Sequence, residues 1–366
     1  MKESKANKKM IIIIAVVIIA LIAAEITAAA IANKNSAEKA AASSTLPTLN
    51  PDEESTTAEQ VQTSATTQTT TEKKTDYSSI EADLKKNALS FADAKMKFRG
   101  DGTKIYYADN ENAASAIFRF DSSKSKKVKY IKLPSAKSYG STYHSLVKLC
   151  EKGVIVEYLS DDAVNGEVVD YHFYACAYKG KKDISKNVNE YSSEFDGEKI
   201  YIANTEDSSV EFVETDKSAD REFFFNGFMS LPNELEEYYL EQVFTARGKK
   251  FGVFCGGSNY DKYMLVYLKG KDEAKKICEI TTSYYIAGKK FYYCKGGELY
   301  SINLKSKDFE SKKVANIDCD VLYFVTKDRA YFCKYQGGSS AKISYIDFSD
   351  NKVKEIASGS YKTADE

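Results

Sequence analysis

Two short β-rich runs around a tight polar turn recur six times along the chain. They occupy residues 94–108 (AKMKFRGDGTKIYYA), 146–158 (LVKLCEKGVIVEY), 191–203 (YSSEFDGEKIYIA), 242–255 (QVFTARGKKFGVFC), 283–294 (SYYIAGKKFYYC) and 321–333 (VLYFVTKDRAYFC). The spacing is roughly 40 to 50 residues, a period that marks a repeat architecture. After each hairpin comes a third strand-like run, at 117–120, 173–176, 210–213, 264–267, 299–302 and 343–346. A shorter fourth follows at 128–133, 222–225, 276–280 and 353–356. Four strands in each of six repeats predict an all-β six-bladed β-propeller. A four-stranded blade alone leaves both faces in water, whereas a ring buries each face on its neighbour. Strands covered on both sides should then read as continuous apolar runs, as residues 105–108 and 291–294 do. Immunoglobulin-like sandwiches need about 100 residues per unit and would not repeat one hairpin at half that period.

The run Lys104, Ile105, Tyr106, Tyr107, Ala108, Asp109, followed by Ile117, Phe118, Arg119, Phe120, Asp121, resembles the YWTD-type blades of low-density-lipoprotein-receptor propellers. More closely, it is similar to a bacterial family of receptor-like extracytoplasmic propellers of unknown function from Gram-positive cells. The similarity spans residues 91–358, although the Trp and Asp of the YWTD signature are mostly absent. It implies fold and topology and names no partner.

Aromatic residues bound the folded region. None of the 27 Tyr and 19 Phe precedes Tyr77, and there is no Trp. Residues 33–76 are rich in Ser, Thr, Ala, Gln and Glu, a composition that cannot bury enough apolar surface to order a chain. They read as a disordered stalk, about 35 to 40 Å long as a coil. Residues 77–366 are left for the propeller.

The N-terminus carries a targeting signal. Lys2, Lys5, Lys8 and Lys9 form a basic tail (1–9) before an apolar stretch (10–32) interrupted only by Glu25. Its twelve Ile, Val and Leu residues, at about −0.5 kcal/mol each, outweigh the about 3 kcal/mol that one central acid would cost. The stretch is long enough to span a bilayer. Lysines ahead of the span stay inside, which predicts a single-pass cell-membrane protein with a cytoplasmic N-terminus and an extracellular C-terminal domain. Cleavage after Ala32, at the small-x-small pattern of Ala30 and Ala32, is the alternative. Either way the domain is exported.

Chemistry is poorly signalled. The formal net charge of −1 gives no basic excess for nucleic acid. No Cys-x-x-Cys, His-Glu-x-x-His, Gly-rich phosphate loop or nucleophile elbow occurs, so no metal, cofactor or catalytic residue is expected. The only histidines, His144 and His172, lack a supporting motif. Seven cysteines are an odd number. Cys255, Cys294 and Cys333 close second strands where Ala108 and Ala203 stand in other repeats, so they read as small buried residues rather than a disulfide framework.

In an up-and-down blade, the loops after strands one and three share one face and those after strands two and four the other. The first set is short and basic, including Arg99, Lys152, Arg247 and Lys289, and reads as solvated turns. The second set holds the long connections 134–145 and 226–241, where recognition resides on a rigid scaffold. The candidate ligand-binding residues are Tyr139, Tyr143, His144, Asp161, Asp162, Phe228, Met229, Tyr238 and Tyr239. Residues 233–242 could equally form a short helix packed on the propeller. The expected role is a non-enzymatic binding module for a protein or cell-wall polymer at the outer surface, attached to the membrane by its N-terminal helix. The alternatives are a wall-polysaccharide hydrolase or lyase using loop carboxylates such as Asp161 and Asp162 or Glu236 and Glu237, and a structural or sensory subunit of a membrane assembly.

Overall fold

Each of the six hairpins forms the first two strands of an antiparallel meander in a computed structural model of the chain. The structure describes residues 74–87, 96–109, 114–135, 143–160, 171–217, 220–257, 262–281, 283–337 and 339–360. The expected tail, the membrane segment and residues 33–73 of the expected stalk lie outside them. No helix among the described residues is long and apolar enough to cross a membrane.

The first meander runs β1 (Phe98–Gly100), β2 (Lys104–Ala108), β3 (Ala116–Asp121) and β4 (Lys126–Lys132). The second has β5 (Tyr143–Leu149), β6 (Gly153–Ser160) and β7 (Tyr171–Ala177). The third is β8 (Ser192–Phe195), β9 (Lys199–Ala203), β10 (Val210–Glu214) and β11 (Glu222–Phe225). The fourth is β12 (Tyr238–Ala246), β13 (Lys249–Gly256), β14 (Lys262–Leu268) and β15 (Ala274–Ile280). The fifth is β16 (Tyr284–Ala287), β17 (Lys290–Lys295), β18 (Glu298–Asn303) and β19 (Ser311–Asn316). The sixth is β20 (Val321–Val325), β21 (Arg329–Tyr335), β22 (Ser340–Asp347) and β23 (Lys352–Ser360).

The second meander lacks a fourth strand among the described residues. A single bridge joins Cys176 to Asp183 where one would run. The Ser185 hydroxyl takes the Ala175 N–H (2.9 Å) and donates to Asp183. A side-chain turn thus satisfies an outer-strand donor that a β-ladder would otherwise need.

Each meander buries its flat sides on its neighbours. Separate apolar clusters join the first to the second, the second to the third, the third to the fourth and the fourth to the fifth. The largest joins the fifth to the sixth and the sixth back to the first. The arrangement is propeller-like. Phe291, Tyr292, Tyr293 and Cys294 of β17 are all buried, as a two-sided strand requires. β2 alternates instead: Ile105 and Tyr107 are buried, while Tyr106 is half-buried against Tyr178, ring centroids 3.9 Å apart.

A helix, α1 (Ser78–Asn87), departs from the all-β expectation. Just before it, Asp76 accepts the Ser78 N–H (2.9 Å) in a side-chain turn. Ile80 and Leu84, four apart and so on one face, are fully buried. Tyr77 sits between Phe120 of the first meander and Tyr331 of the sixth, at 5.7 and 5.9 Å. Glu81 pairs with Arg329 (2.8 Å) and accepts from Tyr331 (2.7 Å), while Asp83 accepts from Tyr107 (2.6 Å) and Lys127 (2.9 Å). The helix therefore straddles the seam between last and first meanders. Burial of Tyr77, Ile80 and Leu84 contributes about 1.5–3 kcal/mol each. Thr75, at the end of the expected stalk, is already buried, and Asp76 donates its N–H to Ser125 (2.8 Å).

Candidate functional site

The turns between first and second strands converge at one end and close it. Gly288 N–H donates to Gly100 O (2.9 Å), next to the parallel bridge of Gly100 with Ala287. A side chain at Gly288 would meet the Asp101 carbonyl at 2.8 Å, and its φ of +58° favours glycine. Lys152 N–H reaches Phe195 O (3.2 Å), and Arg247 N–H reaches the Glu151 carboxylate (3.0 Å). At the centre, Arg99 donates to Thr245 O (2.7 Å) and lies 3.5 Å from Glu194. Arg99 and Glu194 are 6% and 1% exposed. Burial pushes the Glu194 carboxyl up to about 7, against the pull of Arg99 and of backbone donors from Glu151, Thr245 and Phe195. Arg99, expected in a solvated basic turn, is instead an internal plug. Its partners lie in the third and fourth meanders, so its strand must turn it towards the axis.

A second polar group opens to solvent between the second and third meanders. Register puts Leu146, Glu157 and Phe173 side by side across β5, β6 and β7, with Lys148 two residues along from Leu146 on the same face. Below them Ile155 and Ala175 pack on Phe195 and Ile200 of the third meander. Above them the face is uncovered: Leu146, Tyr171 and Tyr191 are 40%, 43% and 56% exposed. Tyr171 and Phe173 hold their rings parallel, 6.4 Å apart.

Lys148 ties the base of this crevice together. Its ammonium donates to the carbonyls of Glu190 (3.3 Å) and Ser192 (3.1 Å) and lies 3.9 Å from Glu157. Burial lowers the Lys148 pKa and raises that of Glu157, each opposed by the other's charge. Tyr191 is hydrogen-bonded to the Glu190 side chain, which raises its pKa, and burial followed by the charges of Glu190 and Glu157 raises that of Tyr171. The arrangement offers aromatic faces, an aliphatic floor and a carboxylate rim, which suit recognition.

The residues read from the sequence are dispersed by comparison. Tyr139, Asp161 and Asp162 lie outside the described residues. Tyr143 and His144 are not loop residues but the first two of β5, where His144 pairs with Leu159 and Leu159 with Tyr171. His144 is thus in register with the crevice. Tyr238 and Tyr239 likewise begin β12, and the 233–242 run divides into a 3-10 turn (Asn233–Leu235) and that strand. Tyr238 lies against Gly256, where any Cβ would meet its ring at 2.4 Å. Phe228 and Met229 sit on the short α2 (Gly227–Ser230), 87% and 82% exposed. Backbone and side-chain bonds to Lys271 O hold this turn against the fourth meander, away from Tyr171 and Tyr191. Sequence reasoning missed Leu146, Lys148, Glu157, Tyr171, Phe173, Glu190 and Tyr191. Period-two spacing of Leu146 with Lys148 and of Tyr171 with Phe173 was the available signal. No group of three or more His, Cys, Asp or Glu that could hold a metal occurs among the described residues.

No family model matches the chain, and no curated protein does. Solved structures resemble it distantly. An uncharacterised protein of Listeria monocytogenes is 9% identical, over 74% of this chain and 82% of that one, with a TM-score of 0.39. A nidogen/laminin complex gives 10%, 70%, 92% and 0.37 in the same order. An oligogalacturonate lyase in complex with manganese gives 9%, 71%, 74% and 0.36. At these TM-scores the likenesses carry no functional argument for this chain.

Proposed function

We propose that the chain is a six-bladed β-propeller of the bacterial extracytoplasmic type, held at the outer face of the cell membrane by residues 10–32, and that it is a non-catalytic binding module. The contact site in this reading is the crevice between its second and third meanders. The observation that carries it is the meeting of Leu146, Tyr171 and Tyr191, all substantially exposed, at one opening over the shielded Lys148 and Glu157 pair. Large exposed apolar side chains grouped in this way mark contact surfaces, whereas scattered ones need no explanation. Aromatic anchors on a rigid scaffold supply contact area at low entropic cost. Neither nucleic acid nor a cofactor enters this reading.

The test uses the full-length chain in detergent, immobilised and exposed to cell-wall polymers and to surface proteins. Wild-type protein should retain a partner that the double variant Tyr171→Ala and Tyr191→Ala releases at least tenfold more readily, roughly 1.4 kcal/mol of lost affinity. Equal retention by the two proteins sinks the crevice. The location is tested separately by adding protease to intact cells, which should cut the domain and spare the N-terminal tail.

A further inference from the structure

All seven cysteines are free thiols in this structure, yet two of them meet. Cys294 lies near the end of β17 in the fifth meander, and Cys319 lies in the 317–320 connection leading into β20 of the sixth. Ser283 holds the two segments together. Its carbonyl accepts the Cys294 N–H (3.2 Å), and its hydroxyl accepts the Leu322 N–H (2.9 Å). Both cysteines are buried in the same apolar cluster, and β17 packs on β20. The two thiols are hydrogen-bonded to each other, and this contact, ahead of burial, pushes the Cys319 pKa far up.

The other five cysteines are placed differently. Cys150 and Cys176 belong to the second meander, and Cys255 and Cys278 to the fourth. Cys333 is nearer, since its carbonyl accepts the Asp320 N–H (2.9 Å), but its thiol is hydrogen-bonded to Tyr323. Copies of one repeat position, such as Cys294 and Cys333, belong to different meanders. Cys319 stands outside that repeat position, and so it can reach a neighbour's copy.

We propose that Cys294 and Cys319 are a disulfide-forming pair that staples the fifth meander to the sixth. Ser283 brackets the two segments, so their contacting sulfurs need only a short approach to reach bonding distance, and Cys319 lies in an irregular connection rather than in a strand ladder. The oxidant is a small disulfide such as oxidised glutathione. One cysteine thiolate attacks it, forming a mixed disulfide and expelling one glutathione thiolate. The second cysteine thiolate attacks the protein sulfur of that mixed disulfide and expels the other. The two protein protons end on the two glutathione thiols, and the two electrons lost by the cysteines reduce the glutathione disulfide. Because both side chains are buried, the exchange takes place while the chain folds.

The test refolds the full-length chain in a mixture of reduced and oxidised glutathione, blocks free thiols with iodoacetamide and digests with trypsin. Cleavage after Lys290, Lys295, Lys313 and Lys327 isolates residues 291–295 with Cys294 and residues 314–327 with Cys319. The expected product is these two peptides joined and unalkylated, separating on reduction. The oxidised chain should also unfold about 5 °C above the reduced one. Replacing either residue, as Cys294→Ala or Cys319→Ala, should abolish that difference. The proposal is overturned if both peptides carry iodoacetamide, or if Cys319 is joined instead to residues 330–334, which contain Cys333.

Discussion

Two charged pairs, Arg99 with Glu194 and Lys148 with Glu157, are built from similar residue types and do opposite things. The first is sealed at the closed end, and its guanidinium reaches the backbone of another meander. The second is shielded from below but lies under an open aromatic rim. A buried charge that loses its partner is costly, and the cost falls where water can reach the site, as it can at Lys148, whose side chain is about a third exposed. Stability should therefore reside in the first pair and recognition in the second.

The largest expected effect comes from breaking the sealed pair. Arg99→Ala removes the donor to Thr245 O and leaves the buried Glu194 carboxyl with backbone donors but no opposite charge. It should lower unfolding stability by about 4 kcal/mol, read from urea midpoints. A loss below about 1 kcal/mol would mean that the plug is not structural. Next, Tyr77→Ala should cost about 3 kcal/mol, because it empties the space between Phe120 and Tyr331 at the seam.

Comparing wild type with Glu194→Gln across pH sharpens the contrast further. Folding raises the Glu194 pKa from the ordinary 4.5 to about 7, so the folded state holds this proton more tightly than the unfolded state does. The resulting stability is fully present below about pH 4.5 and is lost as pH rises through about 7. Wild type should lose up to about 3 kcal/mol relative to the Gln variant across that window and nothing more above it. A pH-independent difference between the two would refute the sealed environment. The smallest effect belongs to the open pair. Lys148→Met, which leaves the buried Glu157 carboxyl without its partner, should cost about 2 kcal/mol and Tyr191→Ala about 0.5 kcal/mol, while both weaken ligand retention.

The repeat was legible because two-sided burial forces aromatic and β-branched residues into consecutive positions, as at 291–294. The hairpin turns were legible through their glycines and lysines. The helix at 78–87 was not: its only buried apolar side chains are Ile80 and Leu84, too few to make a periodic pattern. Nor was the plug. Arg99 follows Phe98 in a basic turn like many others, and its burial depends on Glu194 and Thr245, which lie about 100 and 150 residues away. The crevice depends on cross-strand register, which emerges only when β5, β6 and β7 are paired. Tyr143 and Tyr238 were placed in loops because the strands begin earlier than their densest apolar runs.

Among the described residues, neither the first nor the sixth meander borrows a strand from the other; α1 lies across their junction, and Phe98 packs directly on Tyr323 and Phe324 beneath it. Every meander is local in sequence, so the meanders can form one after another, like beads added to an open string, with the contacts of the first meander to the third, fourth, fifth and sixth left to make last. Tyr77, Glu81 and Asp83 act there as a clasp, fastening the first meander to the last. Thermal fraying should begin at that clasp, and hydrogen exchange should detect it first in α1, β1 and β23.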